Sequence, residues 1–342
     1  MTEVPFISVV VVSRSESDAT AATVASVLAQ DYPAGRLEVL VVSAALADPA
    51  AAGGAPGVRR DQRVRWLENP QRRVSSGLNT GIRAARGDVI CRVDAHLTIA
   101  PDYLRLGVET LRRTEADNVG GQTGARGGGW FGEAVAAALG SRFGVGPYAQ
   151  CREPPLNGVP LGMWPRTSFE RVGLFDEELT GNENEELNYR LRRAGGRIVF
   201  NSAMHAWYEN PQDAARLLQQ YYLYGQWTVR ALQKHPGLMG GRHLAPPAAV
   251  ASTAALQLLS SVIPGTPFLL RALVGVYLLA AVLVALLTPG RRGVGGVGAI
   301  ALAFICMHAA YGVGFLSGLV KYADRWRKRD ANVPRLTPVD SP

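Results

Sequence analysis

Two stretches near the C-terminal end constrain this chain more than anything else in it. Phe268–Leu287 carries a single charge, Arg271, and Val297–Val320 carries none until Lys321. Each matches the roughly 20 apolar residues needed to cross a bilayer, and uncharged runs of that length are hard to cover with protein. A third run, Leu244–Ile263, holds Pro246, Pro247 and several Ser and Thr, which suits an interfacial or re-entrant helix better than a span. Lys and Arg cluster in Arg230–Arg242 and again from Lys321 to Arg329, which places both flanks on the cytoplasmic side and requires an even number of crossings. Arg291 and Arg292, in the loop between the spans, run against that orientation. Two spans are too few for a transporter or channel.

Upstream of about His243 the charges are spread evenly, and the 342 residues are 47% apolar overall, enough to bury a core. The net charge of +8 comes with no nucleic-acid-binding pattern, so nucleic acid is not expected as a partner. Cys91, Cys151 and Cys306 are far apart and form no CxxC pair, which argues against a disulfide framework or a structural zinc site. The N-terminus lacks the basic and apolar regions of a signal peptide.

Short apolar runs alternate with helical patterns, which predicts an α/β layer with a largely parallel sheet. Strands are expected at Phe6–Val12, Leu37–Val42, Arg63–Glu68 and Asp88–Val93. Helices are expected after Ser15 or Ser17, carrying Val24, Val27 and Leu28, and at Asn79–Ala85. Asp94 then follows the fourth strand, outside the carboxyl edge where open α/β sheets bind ligands. Asp94 and His96, two residues apart, suit a shared divalent cation, although an Asp after a strand also serves as a turn residue.

A second polar cluster runs from Asn182 to Gly196 and reads as an amphipathic helix. Asn182 is placed as N-cap with Glu185 at N3, a capping-box arrangement, and Glu186 with Arg190 forms an i,i+4 pair. Glu183 and Asn184 are left without a structural duty. The glycines of Gly124–Gly129 show no strand–glycine–helix context and are read as a loop. No GxGxxG, P-loop, GxSxG or HExxH pattern occurs, which removes dinucleotide, P-loop, serine-hydrolase and zincin readings. His308, inside an apolar run, needs a partner or a role.

The order of several motifs carries a resemblance. The strand Ser8–Val12 with Glu16, the run Gln30–Pro33, Leu78–Asp88, Arg92–His96, Ser141–Gly146, Gly173–Glu177, Glu186–Gly196, Tyr224–Trp227, His235–Pro236 and His308–Gly318 follow one another as in family-2 inverting glycosyltransferases of the GT-A fold. Among these the chain is most similar to the membrane-bound glucosyltransferases of succinoglycan-type exopolysaccharide synthesis. The resemblance implies a GT-A nucleotide-sugar-binding domain, a mostly parallel sheet flanked by helices, over residues 1–235, then a helical membrane module over 236–325 and a basic tail over 326–342. It implies a nucleotide-diphosphate sugar donor, with a UDP-sugar favoured, a lipid-linked or polysaccharide acceptor, and Mg²⁺ or Mn²⁺. The catalytic domain would face the cytoplasm from the inner or plasma membrane.

By the same resemblance, Ser13, Glu16, Ser43, Asn79, Arg92 and Asp94 contact the donor, and Asp94 with His96 holds the metal. Trp164, Gln220, Tyr224 and Trp227 face the acceptor, and the catalytic positions are Glu183, Asn184 and Glu185, with Glu183 ahead of Glu185 as the carboxylate that serves as base. Two positions depart from the family. Ser43 stands where a strand-end Asp contacts the nucleoside, with Asp48 too far along to replace it. Asn184 stands where the general base is expected, and an amide takes up no proton at neutral pH. A non-catalytic binding or scaffold subunit of the same fold is therefore the competing reading.

Overall fold

The structure of the protein is a computed structural model that describes residues 4–13, 18–44, 58, 60–125, 129–144, 158–208, 213–238, 240–289, 293–326 and 333–336. Glu16, Asp48, Arg291 and Arg292 lie outside the described residues. The chain divides into two compact units, one of residues 1–124, 148–208 and 331–342 and one of 125–147 and 209–330.

The first unit is built on an eight-stranded sheet. Its strands are β1 (Ile7–Ser13), β2 (Leu37–Ser43), β3 (Val64–Glu68), β4 (Val89–Arg92), β5 (Leu97–Ile99), β6 (Asn118–Ala125), β7 (Met163–Pro165) and β8 (Ile198–Tyr208), in the order β3-β2-β1-β4-β7-β6-β8-β5. The β3-β2-β1-β4 half is parallel; β7 then pairs antiparallel with both β4 and β6, and β5 pairs antiparallel with β8. This is the mostly parallel, helix-flanked sheet that the sequence predicts.

Strand periodicity explains the layering. Successive side chains of β1 point to opposite faces, so Val9 and Val11 enter one core with Val39 and Val41, while Val10 enters the other with Leu40 and Val42. The first core is closed by Val24 and Val27 of α1 (Asp18–Leu28) and by Leu104, Val108 and Leu111 of α3 (Tyr103–Thr114). The second is closed by Leu78 and Ile82 of α2 (Val74–Ala84), Phe169 of α5 (Arg166–Val172), and Leu187 and Leu191 of α6 (Glu183–Arg193). With both faces covered, β1 and β2 read as continuous apolar runs. Helix α2 starts at Val74, ahead of the expected Asn79, because Ser75 and Ser76 look polar in sequence but are buried and hydrogen-bonded.

Below the sheet's amino edge, Glu38 is buried and accepts from Ser8 Oγ (2.6 Å), the Arg86 amide (2.7 Å) and Arg65 Nη1 (3.2 Å). Burial alone would raise its pKa; the hydrogen bonds from Ser8 and from the Arg86 amide and side chain, with the Arg86 charge, outweigh burial and hold it below the ordinary carboxylate value. Of the tail, Pro334 accepts from the Leu174 amide at 2.9 Å and Leu336 packs on the second core. That stretch is part of the α/β unit rather than a free basic tail.

The second unit holds α4 (Gly129–Gly140), α7 (Ala214–Lys234), α8 (Ala245–Leu259), α9 (Thr266–Leu287) and α10 (Val294–Lys321). The expected boundary at 235/236 thus falls just after α7, a helix that packs inside this unit. Gly124 belongs to β6 and Gly129 opens α4, while residues 126–128 of the expected glycine loop lie outside the described residues. Periodicity hid α4 because it is apolar almost all round. Its Phe131, Val135 and Ala138 share a core with Ala303, Phe304 and Met307 of α10.

Helices α9 and α10, at 22 and 28 residues, are long and apolar enough to cross a membrane by length and composition. The 15 residues of α8 are shorter than a span. Helix α10 packs backbone to backbone on α7: a Cβ at Gly314 would lie 2.0 Å from the Tyr222 carbonyl oxygen, and one at Gly225 would lie 2.2 Å from that of Tyr311. The glycines of the His308–Gly318 motif thus permit close helix contact. His308 has its partners. Its Nε2 donates to the Phe143 carbonyl at 2.8 Å, which leaves Nδ1 to accept from the Tyr277 hydroxyl at 3.0 Å.

Candidate active site

Register places the donor-side candidates. Ser13 and Ser43 are paired across β1 and β2, and Ser43 is paired with Glu68 of β3, so the three form one row at the carboxyl edge. Ser13 is buried, 2.9 Å from the Thr20 hydroxyl, and Ser43 is fully buried. Glu68 is exposed and gives this row the carboxylate that Ser43 lacks. Sequence reading passed over it because only the register of β3 brings it beside Ser43.

Beyond β4 the chain turns at Asp94–Leu97, with the Leu97 amide donating to the Asp94 carbonyl at 3.0 Å. His96 takes φ +87° at the third position of this turn, a left-handed value that favours glycine, and its side chain is exposed. Its amide is held by Thr23 Oγ1 at 3.2 Å. An imidazole kept in so unfavourable a backbone conformation fits strain stored at a functional turn. The Asp94 carboxylate is 41% exposed, as a ligand for a cation or substrate must be.

Arg92 joins the two polar clusters. Its Nε lies 2.6 Å from Asp94 Oδ1 and its Nη2 3.1 Å from Asp94 Oδ2, and Nη2 also donates to Glu183 Oε1 at 3.0 Å. The guanidinium is buried. Burial would lower its pKa, but the Asp94 and Glu183 charges more than compensate and raise it further above the ordinary arginine value. The third nitrogen, Nη1, is buried without a hydrogen-bond partner. Through Arg92, the turn after β4 and the first turn of α6 form one site.

The head of α6 divides its labour. Glu186 is fully buried and takes a two-pronged ion pair from Arg190, at 2.7 and 2.8 Å, as the i,i+4 reading predicts. Gly195, at φ +77°, ends the helix, with Gly196 N donating to Leu191 O and Gly195 N to Arg192 O. The capping box is not formed. Asn182 does precede the helix, but its φ of +60° is left-handed rather than extended, and its side chain makes no cap bond.

Asn184 is buried and donates its amide to the carbonyls of Val159 (2.7 Å) and Pro160 (3.2 Å), while its Oδ1 has no partner. The reverse amide orientation would set oxygen against two carbonyl oxygens. This residue therefore anchors the approach to β7 and is not a base. Glu185, in contrast, is exposed as a residue, although surrounding protein desolvates its carboxyl. Burial, with the Glu183 charge added, raises its pKa above the ordinary value, against a smaller opposing effect of Arg92.

Two expected contacts are placed elsewhere. Asn79 is buried on α2, where its amide donates to Phe175 O and Glu177 Oε1 and its oxygen accepts from Phe175 N, all at 2.9 Å. It ties down the segment before α6 instead of facing a donor. Trp164 is 1% exposed, with Phe169 and Phe175 at ring distances of 5.5 and 6.0 Å, so it is a core aromatic of β7 and offers no face to an acceptor. In the second unit, Gln220 donates to the Tyr224 hydroxyl at 3.0 Å on the exposed side of α7, and Trp227 packs 5.8 Å from Tyr322.

Asp94 and His96 offer one hard oxygen donor set and one imidazole, and among the described residues no group of three or more His, Cys, Asp or Glu gathers as a metal site. Two protein ligands suit a cation whose remaining positions are filled by substrate phosphates and water, as is usual for Mg²⁺. The residues present therefore fit a divalent metal shared with a diphosphate.

Comparison with known proteins bears on the family and the fold. Residues 8–155 match the family model for glycosyl transferase family 2. The succinoglycan biosynthesis protein ExoA of Rhizobium meliloti is 29% identical over 302 residues, spanning 82% of this chain and 86% of that protein. Glycosyltransferase AglE of Haloferax volcanii is 28% identical over 123 residues, 34% of this chain and 39% of AglE. In fold, the chain is similar to the mannosyltransferase PcManGT from Pyrobaculum calidifontis, solved in complex with GDP-Man and Mn²⁺. The TM-score is 0.64 at 19% identity, over 94% of this chain and 88% of that one. Residues 8–155 are therefore similar to glycosyl transferase family 2, and the fold is that of the GT-A glycosyltransferases.

Proposed function

We propose that the protein is a membrane-anchored, inverting glycosyltransferase that moves a sugar from a nucleotide-diphosphate donor to a lipid-linked glycan in cell-surface polysaccharide synthesis. The observation that carries this reading is the Arg92 bridge, which brings the strand-end acid Asp94 together with the carboxylates at the head of α6. A donor acid and an acceptor-side base must lie on either side of the reacting carbon, and these are the two groups available.

Asp94 and His96 would hold the divalent cation, which supplies charge neutralisation for the departing diphosphate. Ser13, Ser43 and Glu68 line the edge where the nucleoside lies. Glu185 is the general base: it is exposed, its pKa is raised above the ordinary carboxylate value, which strengthens it as a proton acceptor, and Glu183 is already committed to Arg92. It takes the acceptor hydroxyl proton as the oxygen attacks the anomeric carbon in line with the leaving phosphate. A single displacement inverts that carbon. The membrane anchor is α9 with α10; α9 exposes large apolar side chains such as Phe268, Leu279 and Leu287. Tyr224 and Gln220 on α7 are the acceptor-facing candidates that remain. Both hairpin ends, and the catalytic unit with them, face the cytoplasm.

The competing scaffold reading has one observation in its favour: Asn184 fills the base position with a group that takes up no proton. The two readings part on a transfer assay of the full chain in detergent with UDP- and GDP-sugars, Mn²⁺ and a lipid-linked acceptor. Nucleotide release that disappears in Asp94→Asn and Glu185→Gln supports the enzyme; binding of donor with no release by the native chain supports the scaffold.

A further inference from the structure

The bridge by Arg92 does more than join two elements. The guanidinium engages both oxygens of the exposed acid Asp94, and its remaining nitrogen Nη1 is buried without an acceptor. A fixed cation in hydrogen-bond contact with a metal-ligand carboxylate opposes a second cation there, because like charges at such range repel strongly wherever water is partly excluded. The site adds little to overcome this. Among the described residues no third ligand stands beside Asp94 and His96, and the charge of Glu183 is spent on the same guanidinium.

We propose that Arg92 is a resident counter-cation that makes divalent-metal binding dependent on the nucleotide. The inference rests on the metal-assisted reading above. Without nucleotide, Arg92 neutralises Asp94 and Glu183, and the cation binds weakly. A diphosphate brings the missing negative charge, and its oxygens give Nη1 the acceptor it lacks, so the fork re-pairs and Asp94 is released to the metal. Metal and nucleotide then assist each other by the same factor, as linkage requires. Arg92 acts here as a positioning residue, through Asp94.

The test is Mn²⁺ uptake by the full chain in detergent, read from the spin-resonance signal of free Mn²⁺, with and without UDP or GDP. In the native chain, nucleotide is expected to tighten Mn²⁺ binding by at least about tenfold. Arg92→Met is expected to bind Mn²⁺ alone at least about tenfold more tightly than the native chain and to lose most of the coupling. Arg92→Lys, which keeps the charge, is expected to stay within about threefold of native. Glu183→Gln leaves the guanidinium to Asp94 alone and is expected to weaken metal binding without nucleotide by about threefold or more; it decides the matter if Arg92→Met does not fold. Arg92→Met binding within twofold of native, or an unchanged Glu183→Gln where the methionine variant is unfolded, overturns the inference and leaves the metal-assisted reading standing. A native chain that takes up no Mn²⁺ even with nucleotide overturns both.

Discussion

Asn184 gives its amide hydrogens to two backbone carbonyls, so restoring the acid usual at that position is expected to hurt the protein. Asn184→Asp sets a carboxylate against the Val159 and Pro160 oxygens and should cost about 1–3 kcal/mol with no gain in turnover. Thermal melting and a transfer assay read both effects. Glu185→Gln is expected to leave the melting temperature near native and to lower kcat by about 10²–10⁴-fold, with KM for the donor little changed. Its pH profile carries the sign of the shift. The base works deprotonated, so turnover falls as pH drops through a pKa raised above the ordinary carboxylate value, and the acid limb lies higher than for an unperturbed glutamate. Glu38 behaves oppositely. Its folded pKa is held low, so its contribution to stability is present above the unfolded pKa and is lost as pH falls through the folded one. Glu38→Gln should destabilise the protein at neutral pH and flatten the acid side of its stability curve, measured by denaturant melts from pH 3 to pH 8.

Between helices, the close packing of α7 on α10 depends on residues with no side chain. Gly314→Val places a branched carbon where a Cβ already stands 2.0 Å from the Tyr222 carbonyl. The helices must separate, which also breaks the Tyr222–Ser317–Gln226 hydrogen bonds at 2.9 to 3.0 Å. The expected outcome is loss of the monodisperse detergent-solubilised protein on gel filtration, while Gly298→Val on the same helix, where a Cβ meets nothing within 4 Å, stays soluble. The glycine pattern of this segment was visible in the sequence as a motif. Its reason was not, because the partner carbonyls belong to a helix some 90 residues earlier.

For the chain as a whole, the proposed anchor of two apolar helices predicts that the protein stays with membranes after high-salt and alkaline washing and leaves them only in detergent. Fractionation of cells expressing the full chain checks this. Release by salt alone would assign the association to the basic segments rather than to α9 and α10.

The four parallel strands β1 to β4, the long apolar runs, the α6 helix and the position of Asp94 at a strand end were legible in the sequence, because each is written in local periodicity and local stop signals, which act over a few neighbouring residues. What only the folded chain decided were pairings between distant residues: Trp164 turned into the core, Asn79 and Asn184 spent on backbone groups far along the chain, Glu68 set beside Ser43, and Arg92 laid across to Glu183. Whether a polar side chain faces a ligand or satisfies a buried carbonyl depends on which partner tertiary packing brings within about 3 Å, and no local pattern encodes that partner.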